Sequence, residues 1–186
     1  AGLEFGIWME PEMVSEDSEL YRAHPDWALA IPGRDPVRGR NQLVLDFSRK
    51  EVVDNIYEQI CRVLDSGHIE YLKWDLNRSI ADVFSHAAAN QGTVLHRYIL
   101  GLYDILQELM EQFPDILFEG CASGGNRFDL GMLCYFPQIW ASDNTDAFTR
   151  MRMMENYSYA YPMNVIGAHV SASPNHQTLR YTTLDT

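Results

Sequence analysis

The sequence "YLKWDLNR" at residues 71–78 places a lysine and an aspartate two positions apart at the end of an apolar run. Side chains alternate along a strand, so Tyr71, Lys73 and Asp75 are expected on one side and the apolar residues between them on the other. An arbitrary pair of this kind is more often a structural ion pair than a functional one. At the carboxyl end of a parallel strand, beside aromatic residues, the pair is instead well placed to hold a polyhydroxylated ligand.

Short apolar segments alternate with longer segments of helical period along the chain, which is typical of βα units around a parallel sheet. The predicted strands lie near Leu3–Met9, Ile69–Trp74, Ile116–Glu119, Gln138–Ser142 and Asn164–Ala168. A further apolar run, Gln42–Leu45, is either a strand or part of a loop. Polar residues follow nearly every predicted strand, and the carboxyl ends of all strands converge on one mouth in a barrel. The pattern therefore favours an α/β fold of the (β/α)8 TIM type, incomplete at about five to six βα units, over an open doubly wound sheet.

The sequence also predicts two long amphipathic helices. The segment "SRKE" from Ser48 has capping-box spacing and precedes apolar residues at helical intervals, so a helix is expected from there to Gly67. A second helix is expected over Thr93–Phe113, where a proline follows. Shorter helices are expected after Gly125 and Thr145.

The composition limits the partners that the chain can bind. Its 186 residues are 46% hydrophobic and 22% charged, which is typical of a globular protein with a buried core. The formal net charge of -12 repels phosphate backbones, so no nucleic-acid partner is expected. No apolar stretch approaches the roughly 18 residues of a membrane-spanning helix, so no membrane partner is expected either.

The cysteines and the amino terminus indicate the context of the chain. Cys61, Cys121 and Cys134 are too scattered for a disulfide framework and favour a reducing compartment. We expect a cytoplasmic protein, although the sequence leaves secretion open. Cys121 has no histidine near it in the sequence, so a small buried residue is favoured over a nucleophile. The chain begins without a methionine at a segment typical of a strand, which suggests that residues 1–186 are one partial domain of a longer protein.

A second candidate carboxylate lies in "IWASDNTDAF" at residues 139–148. Asp143 is expected at the lumen end of its strand, whereas Asp146 is more typical of a helix N-cap and is the second choice. Two carboxylates on different strand ends are the minimum equipment for cleaving a glycosidic bond.

The environments predicted for the two carboxylates differ. Lys73 favours an ionised Asp75, as a nucleophile requires. Apolar neighbours, among them Trp140 and Phe148, favour a protonated Asp143, as a general acid requires.

Six ordered segments carry a resemblance to a known family: "IWMEPEM", "NQLVLD", "YLKWDLNR", "FEGCASGGNRFD", "WASDNTDA" and "GAHVSASPNHQ". Together they resemble the catalytic barrel of the family-36 glycoside hydrolases, the large α-galactosidases, from Leu3 to about Arg180. The resemblance implies a retaining hydrolase of terminal α-D-galactosyl residues that acts on sugars such as melibiose, raffinose and stachyose. It implies Asp75 as the nucleophile and Asp143 as the acid/base, in agreement with their predicted environments.

The resemblance also implies a set of galactose-binding residues and a larger enzyme. The expected binding residues are Trp8, Arg40, Lys73, Cys121, Gly124 and Trp140. No metal or cofactor is expected. The resemblance implies a longer, multi-domain enzyme, of which this chain lacks the first two barrel strands with their Asp-Asp-Gly-Trp segment. The full-length enzyme is expected to be a homo-oligomer.

Two other functions fit the same sequence: a raffinose-type α-galactosyl transferase on this scaffold, and a non-catalytic sugar-binding or structural fragment with an incomplete barrel. Glu10 and Glu12 could be catalytic, but Glu-Pro-Glu is a turn in which either could pair with an arginine. His169 and His176 are seven residues apart, but Pro174 interrupts any helix that would align them on a metal.

Overall fold

The computed structural model describes residues 2–169, 171, 172 and 177. Two units are distinguished, Ala1–Leu117 and Phe118–Thr186. Each contains parallel strands and helices, so the alternation of apolar and amphipathic segments correctly predicts an α/β fold with parallel strands.

In the first unit the strands are β1 (Gly6–Met9), β2 (Met13–Ser15), β3 (Gln42–Val44) and β4 (Tyr71–Trp74). Strands β1 and β4 are parallel, with Trp8 opposite Lys73. Strands β2 and β3 form a separate antiparallel pair, with Met13 opposite Val44. The apolar run at 42–45 is therefore a strand, and its partner β2 is an element that the sequence did not predict.

The helices of the first unit are α1 (Glu19–Ala23), α2 (Lys50–Leu64) and α3 (Val94–Gln112), with 3-10 helices at Pro25–Trp27 and Gln91–Thr93. Helices α2 and α3 contact one another, and each buries an apolar stripe of helical period. Gly101 permits α3 to approach the backbone of Phe47 closely, because a Cβ at 101 would overlap the carbonyl oxygen of Phe47. Both predicted long helices are confirmed.

The start of α2 differs from the predicted capping box. The helix begins at Lys50, its N-cap is Arg49, and no side chain caps it. The hydroxyl of Ser48 instead donates to Oδ1 of Asp46, which also accepts from the Ser48 amide at 3.1 Å. Asp46 holds Ser48 in an Asx-type turn, and the helix starts one residue later than predicted, so Ser48 lies before the N-cap position and its hydroxyl does not cap the helix.

In the second unit the strands are β5 (Leu117–Gly120), which starts at the boundary between the units, β6 (Gln138–Trp140) and β7 (Ile166–Gly167). The α-helix is α4 (Ala147–Ser158), and 3-10 helices lie at Met132–Cys134 and Met163–Val165. Strand β6 is parallel to β5, with Glu119 opposite Gln138, and also parallel to β7. Oδ1 of Asp146 accepts from the amide of Thr149 at 2.9 Å. The predicted N-cap and the helix expected after Thr145 are therefore confirmed.

The helix predicted after Gly125 is wrong, because the segment forms turns and a 3-10 helix. The amide of Phe128 donates to the carbonyl of Gly125 at 3.1 Å. Oδ1 of Asp129 accepts from the amide of Met132 at 3.0 Å. Local side-chain acceptors of this kind offer the backbone an alternative to helical hydrogen bonds.

The predicted strands are confirmed as β1 and β4 to β7, most of them shorter than the sequence suggested. Strands β6 and β7 end before the predicted residue, so loops rather than strand geometry direct the side chains that follow them. Within the part of the chain that the structure describes, no helix is long and apolar enough to cross a membrane.

Candidate active site

Asp75 lies directly after β4, at the carboxyl end of the strand. Its amide donates to the carbonyl of Met9 at 2.9 Å, which continues the pairing of β4 with β1 by one residue. Leu72 and Trp74 are fully buried while Lys73 is only partly buried, which confirms the predicted alternation along the strand. The Asp75 side chain is thereby fixed on the same side as Lys73, and it is 5% exposed.

The two oxygens of the Asp75 carboxylate have different surroundings. Oδ2 accepts from Nε1 of Trp8 at 3.0 Å and from Nδ2 of Asn77 at 2.7 Å. Oδ1 is buried and has no hydrogen-bond partner among the described residues. A buried polar atom without a partner is costly, and in native proteins such an atom calls for a functional explanation. One oxygen is thus fixed by two donors, and the other is available to a further group.

Glu10 connects Asn77 to Arg40. Its Oε1 accepts from Nδ2 of Asn77 at 2.7 Å and from Nη1 of Arg40 at 3.2 Å. Arg40 and Asn41 are the central residues of a two-residue turn, with φ of 53° and 61°. Positive φ at both central positions is typical of a type I′ turn and is uncommon in residues other than glycine. The prediction that a glutamate of the Glu-Pro-Glu turn pairs with an arginine is confirmed for Glu10.

Glu12 is fully buried and contacts Trp74 on the side of β4 opposite to Asp75. Its Oε1 accepts from Nε1 of Trp74 at 2.8 Å, and its Oε2 accepts from the hydroxyl of Tyr98. Trp74 immediately precedes Asp75 in the chain. Glu12 therefore stabilises the strand end that carries Asp75, and it has no exposed surface for a ligand.

In the second unit, Asp143 follows β6 and accepts on Oδ1 from Nε1 of Trp140 at 2.9 Å. Asp143 is exposed, and Phe148 in the first turn of α4 is 47% exposed. The expectation that apolar neighbours desolvate Asp143 is therefore wrong. The physical reason is that β6 ends at Trp140, so the strand alternation that the prediction assumed does not extend to Asp143.

The loop after β5 packs against the backbone that leads to Asp143. Ser123 and Gly124 have φ of 48° and 83°. A Cβ on Gly124 would lie 2.9 Å from Cα of Ser142 and 3.2 Å from the amide nitrogen of Asp143. Glycine is therefore required at 124 both by its backbone conformation and by the close approach. Cys121, at the end of β5, is 5% exposed, which agrees with its prediction as a small buried residue.

Several side chains near Asp75 and Asp143 are not predicted from the sequence. Asn77 has the parity of Asp75, and this parity could have indicated its contact with the carboxylate. Glu119 is 2% exposed in β5, and burial raises its pKa to about 7. Its parity with Cys121 was the available signal. Arg150, on α4, has no comparable signal, because its contacts depend on how distant segments pack.

His169 and His176 are the histidines that the sequence offers as candidate metal ligands. Among the described residues, no three histidine, cysteine, aspartate or glutamate side chains form a group that could hold a metal ion. The ring centroid of His169 lies 3.9 Å from that of Trp140, so His169 is an aromatic neighbour of this tryptophan. His176 lies outside the described residues.

In each unit a tryptophan N–H donates to an aspartate that follows the carboxyl end of a parallel strand. Carboxylates and aromatic rings with a polar handle are the groups with which glycoside hydrolases hold and cleave sugars, so fold and site are typical of a carbohydrate-active α/β protein. The chain belongs to the melibiase family, whose model, Melibiase, matches residues 1–186.

The relatives are larger proteins. The chain is 58% identical over 185 residues to the bifunctional alpha-galactosidase/sucrose kinase AgaSK of Mediterraneibacter gnavus, which covers 100% of this chain and 19% of that protein. It is 54% identical over 187 residues to alpha-galactosidase AgaA of Geobacillus stearothermophilus, which covers 100% of this chain and 26% of that protein. A crystal structure of an AgaA variant in complex with stachyose matches with a TM-score of 0.95 at 53% identity, over 99% of this chain and 26% of that chain. The chain spans 26% or less of the length of these relatives.

Proposed function

We propose that this chain is the central part of a catalytic (β/α)8 barrel in a longer retaining α-galactosidase, which hydrolyses terminal α-D-galactosyl residues of oligosaccharides. Membership of the melibiase family supports the activity. The stachyose complex of a relative at 53% identity supports the substrate class. The remainder of the longer enzyme supplies the first two barrel strands and the other domains.

The observation that carries the proposal is the asymmetry of the Asp75 carboxylate. Trp8 and Asn77 hold Oδ2, and Oδ1 is buried without a hydrogen-bond partner among the described residues. In a double displacement the nucleophile attacks the anomeric carbon with one oxygen, so fixing the other oxygen orients the attack. Asp75 is therefore assigned as the nucleophile.

Asp143 is assigned as the acid/base. Its exposure suits a group that must exchange protons with solvent, and Trp140 orients its Oδ1. In the first step Asp143 protonates the glycosidic oxygen while Asp75 forms a galactosyl ester. In the second step Asp143 takes a proton from the water that releases galactose. Two inversions at the same carbon give net retention of configuration.

The remaining predicted residues are assigned to galactose binding: Trp8, Arg40, Lys73, Cys121, Gly124 and Trp140. Trp8 is 49% exposed, so its ring offers surface to a sugar while its N–H holds Asp75. Trp8 and Lys73 are opposite one another in the register of β1 and β4, so they share a face of the sheet with Asp75. This face combines an aromatic surface, a cation and a carboxylate, which are suited to a polyhydroxylated ligand.

The anomeric configuration of the first product tests the mechanism. The full-length enzyme is mixed with a nitrophenyl α-galactoside, and the released galactose is followed by proton NMR before mutarotation. We expect the α-anomer to appear first, because Asp75 and water attack in succession. First appearance of the β-anomer would exclude double displacement. A folded full-length enzyme that hydrolyses no α-galactoside would exclude the activity itself.

A further inference from the structure

Arg150 is a buried cation on α4, close to the loop that carries Asp143. Its side chain is 7% exposed. Nη1 donates to the carbonyl of Ser142 at 3.2 Å and to the carbonyl of Asn144 at 3.3 Å, so it binds the residues on both sides of Asp143. Nη2 donates to the carbonyl of Gly167 in β7 at 3.0 Å. One guanidinium therefore ties α4 to this loop and to a neighbouring strand.

The same guanidinium lies on the indole ring of Trp140. Its Cζ is 4.4 Å from the ring centroid, which is within the range of a cation–π interaction. Nε1 of Trp140 in turn donates to Oδ1 of Asp143 at 2.9 Å. Arg150 thus restrains Asp143 by two routes, through the backbone on either side of it and through the indole that holds its carboxylate.

The charge of Arg150 is balanced without an ion pair in the part of the chain that the structure describes. Burial lowers the pKa of Arg150, and no neighbouring charge among the described residues opposes this effect. Arginine stays protonated in proteins, so three backbone carbonyls and one aromatic face carry the compensation. A buried charge is costly unless it is compensated, and the three carbonyls compensate this one only while the loop keeps its conformation. The side chain and the loop therefore fix each other.

The helix cap strengthens this arrangement. The amide of Asp146 donates to Oδ1 of Asn144 at 2.9 Å, and Oδ1 of Asp146 accepts from the amide of Thr149 at 2.9 Å. The amide of Arg150 donates to the carbonyl of Asp146 at 2.9 Å, so Arg150 lies one turn into the helix and its side chain returns over the cap. The position of Asp143 is thereby set by α4 as well as by the end of β6.

We infer that Arg150 is a positioning residue for Asp143, holding the loop and the Trp140 N–H in the geometry that directs the Asp143 carboxyl to the leaving-group oxygen. The inference rests on the proposed function of Asp143 as the acid/base. Its consequence is a defect confined to proton transfer. When Arg150 is changed, kcat/KM should fall for a substrate whose leaving group needs protonation. It should not fall for a substrate whose leaving group departs as a stable anion.

The experiment compares two substrates in the full-length enzyme carrying Arg150→Lys or Arg150→Gln. Lysine keeps the charge but lacks the planar fork that spans three carbonyls and stacks on an indole. The leaving group of raffinose is a sugar alkoxide that needs a proton, whereas the leaving group of a dinitrophenyl α-galactoside is a stable phenolate. We expect kcat/KM for raffinose to fall roughly 10- to 100-fold, and that for the aryl substrate to fall by less than about threefold. The ratio of the two constants, measured on one preparation, does not depend on the fraction of folded enzyme.

Arg152→Lys is the matched control, because Arg152 is exposed two residues further along the same helix, and it should leave both constants unchanged. Equal fractional losses on the two substrates, or loss of folded protein in both Arg150 variants, would assign Arg150 a purely structural role and overturn the inference. If the wild-type enzyme hydrolyses neither substrate, the proposed function fails and the inference fails with it. An active wild type with an unchanged ratio in the variants overturns the inference alone.

Discussion

Asp75 and Asp143 are held in opposite ways. Asp75 is 5% exposed, and its carboxylate accepts directly from Trp8 and Asn77. Asp143 is exposed and accepts a side-chain hydrogen bond from Trp140, while the backbone around it is restrained by other elements. A nucleophile needs one oxygen at a fixed position, which a strand end with side-chain donors provides. A group that exchanges protons with water needs access, which an anchored loop provides.

The anchors of the Asp143 loop come from two further elements of the second unit. Gly124, after β5, allows the backbone of Ser142 to approach closely. Arg150, on α4, binds the carbonyls of Ser142 and Asn144. Asp75 has the simpler arrangement, because its amide still pairs with β1 as part of the strand ladder. The comparison therefore predicts that changes near Asp75 impair attack on every substrate, whereas changes near Asp143 lower kcat/KM only for substrates whose leaving group needs a proton.

The largest expected effect separates the two carboxylates themselves. In the full-length enzyme, Asp75→Ala should lower kcat at least about 10⁴-fold on every α-galactoside, because no covalent ester can form. Asp143→Ala should lower kcat/KM for raffinose by roughly 10²- to 10⁴-fold but leave that for a dinitrophenyl α-galactoside nearly unchanged. Steady-state kinetics with the two substrates measure both effects.

Azide sharpens this prediction. It should accelerate turnover of the aryl substrate by Asp143→Ala and give galactosyl azide of retained configuration, because the ester with Asp75 still forms and a small anion replaces activated water. Asp115→Ala, which changes an exposed aspartate, should behave as wild type. Turnover by Asp75→Ala without azide would contradict the role of Asp75 as the nucleophile. An Asp143→Ala variant that azide does not affect would contradict the role of Asp143 as the acid/base.

A smaller effect is expected from the tryptophans that donate to the two carboxylates. Phenylalanine keeps an aromatic face at either position but has no N–H donor. Trp8→Phe should lower kcat roughly 10- to 100-fold on raffinose and on the aryl substrate alike, since Oδ2 of Asp75 loses one of its two donors. Trp140→Phe should lower kcat/KM for raffinose about tenfold and that for the aryl substrate less.

The matched pair tests the comparison directly. If Trp140→Phe impairs both substrates equally, the Trp140 contact serves sugar binding more than proton transfer. If Trp8→Phe spares the aryl substrate, its N–H does not orient the nucleophile. KM measured beside kcat separates a lost sugar platform from a misdirected carboxylate.

The sequence was sufficient where a periodic pattern decides the structure. Alternation in 71–78 correctly places Leu72 and Trp74 inside, with Lys73 only partly buried between them. The stripes of α2 and α3 predict both helices, since burial of a helical face depends on local spacing. These features are local, and local sequence carries them.

The sequence was insufficient where a strand ends and distant contacts take over. Asp143 was expected among apolar neighbours, but β6 ends before it and the loop is fixed by Gly124 and Arg150, which precede and follow it in other elements. Ser48 has the right spacing for a cap, yet the Asp46 carboxylate, two residues after the end of β3, binds its hydroxyl. Tertiary contacts therefore decide the surroundings of Asp143, whereas a competing local hydrogen bond decides the role of Ser48.

The smallest expected effect is a change in the pH dependence of stability, and it arises from Glu119 in the second unit. Burial raises the pKa of Glu119 to about 7, above its ordinary value of 4.5. The folded state therefore binds the proton more tightly, so this group stabilises the fold fully below about pH 4.5, and the contribution is lost as the pH rises through about 7. At about 1.4 kcal/mol per pKa unit, the loss is roughly 3 kcal/mol. Glu119→Gln, which stays neutral, should remove it.

The measurement is the Tm of the full-length enzyme between about pH 5 and pH 8, with Glu58→Gln, an exposed glutamate on α2, as the matched control. Wild type and Glu58→Gln should lose more Tm toward pH 8 than Glu119→Gln, and parallel profiles would contradict the raised pKa. Glu119 lies opposite Gln138 in β6, the strand that leads to Asp143, so its ionisation could also affect the activity. If Glu119→Gln flattens only the Tm profile, the ionisation of Glu119 affects stability alone. If it also flattens the alkaline limb of kcat/KM, the buried carboxyl in β5 contributes to the pH dependence of the activity as well.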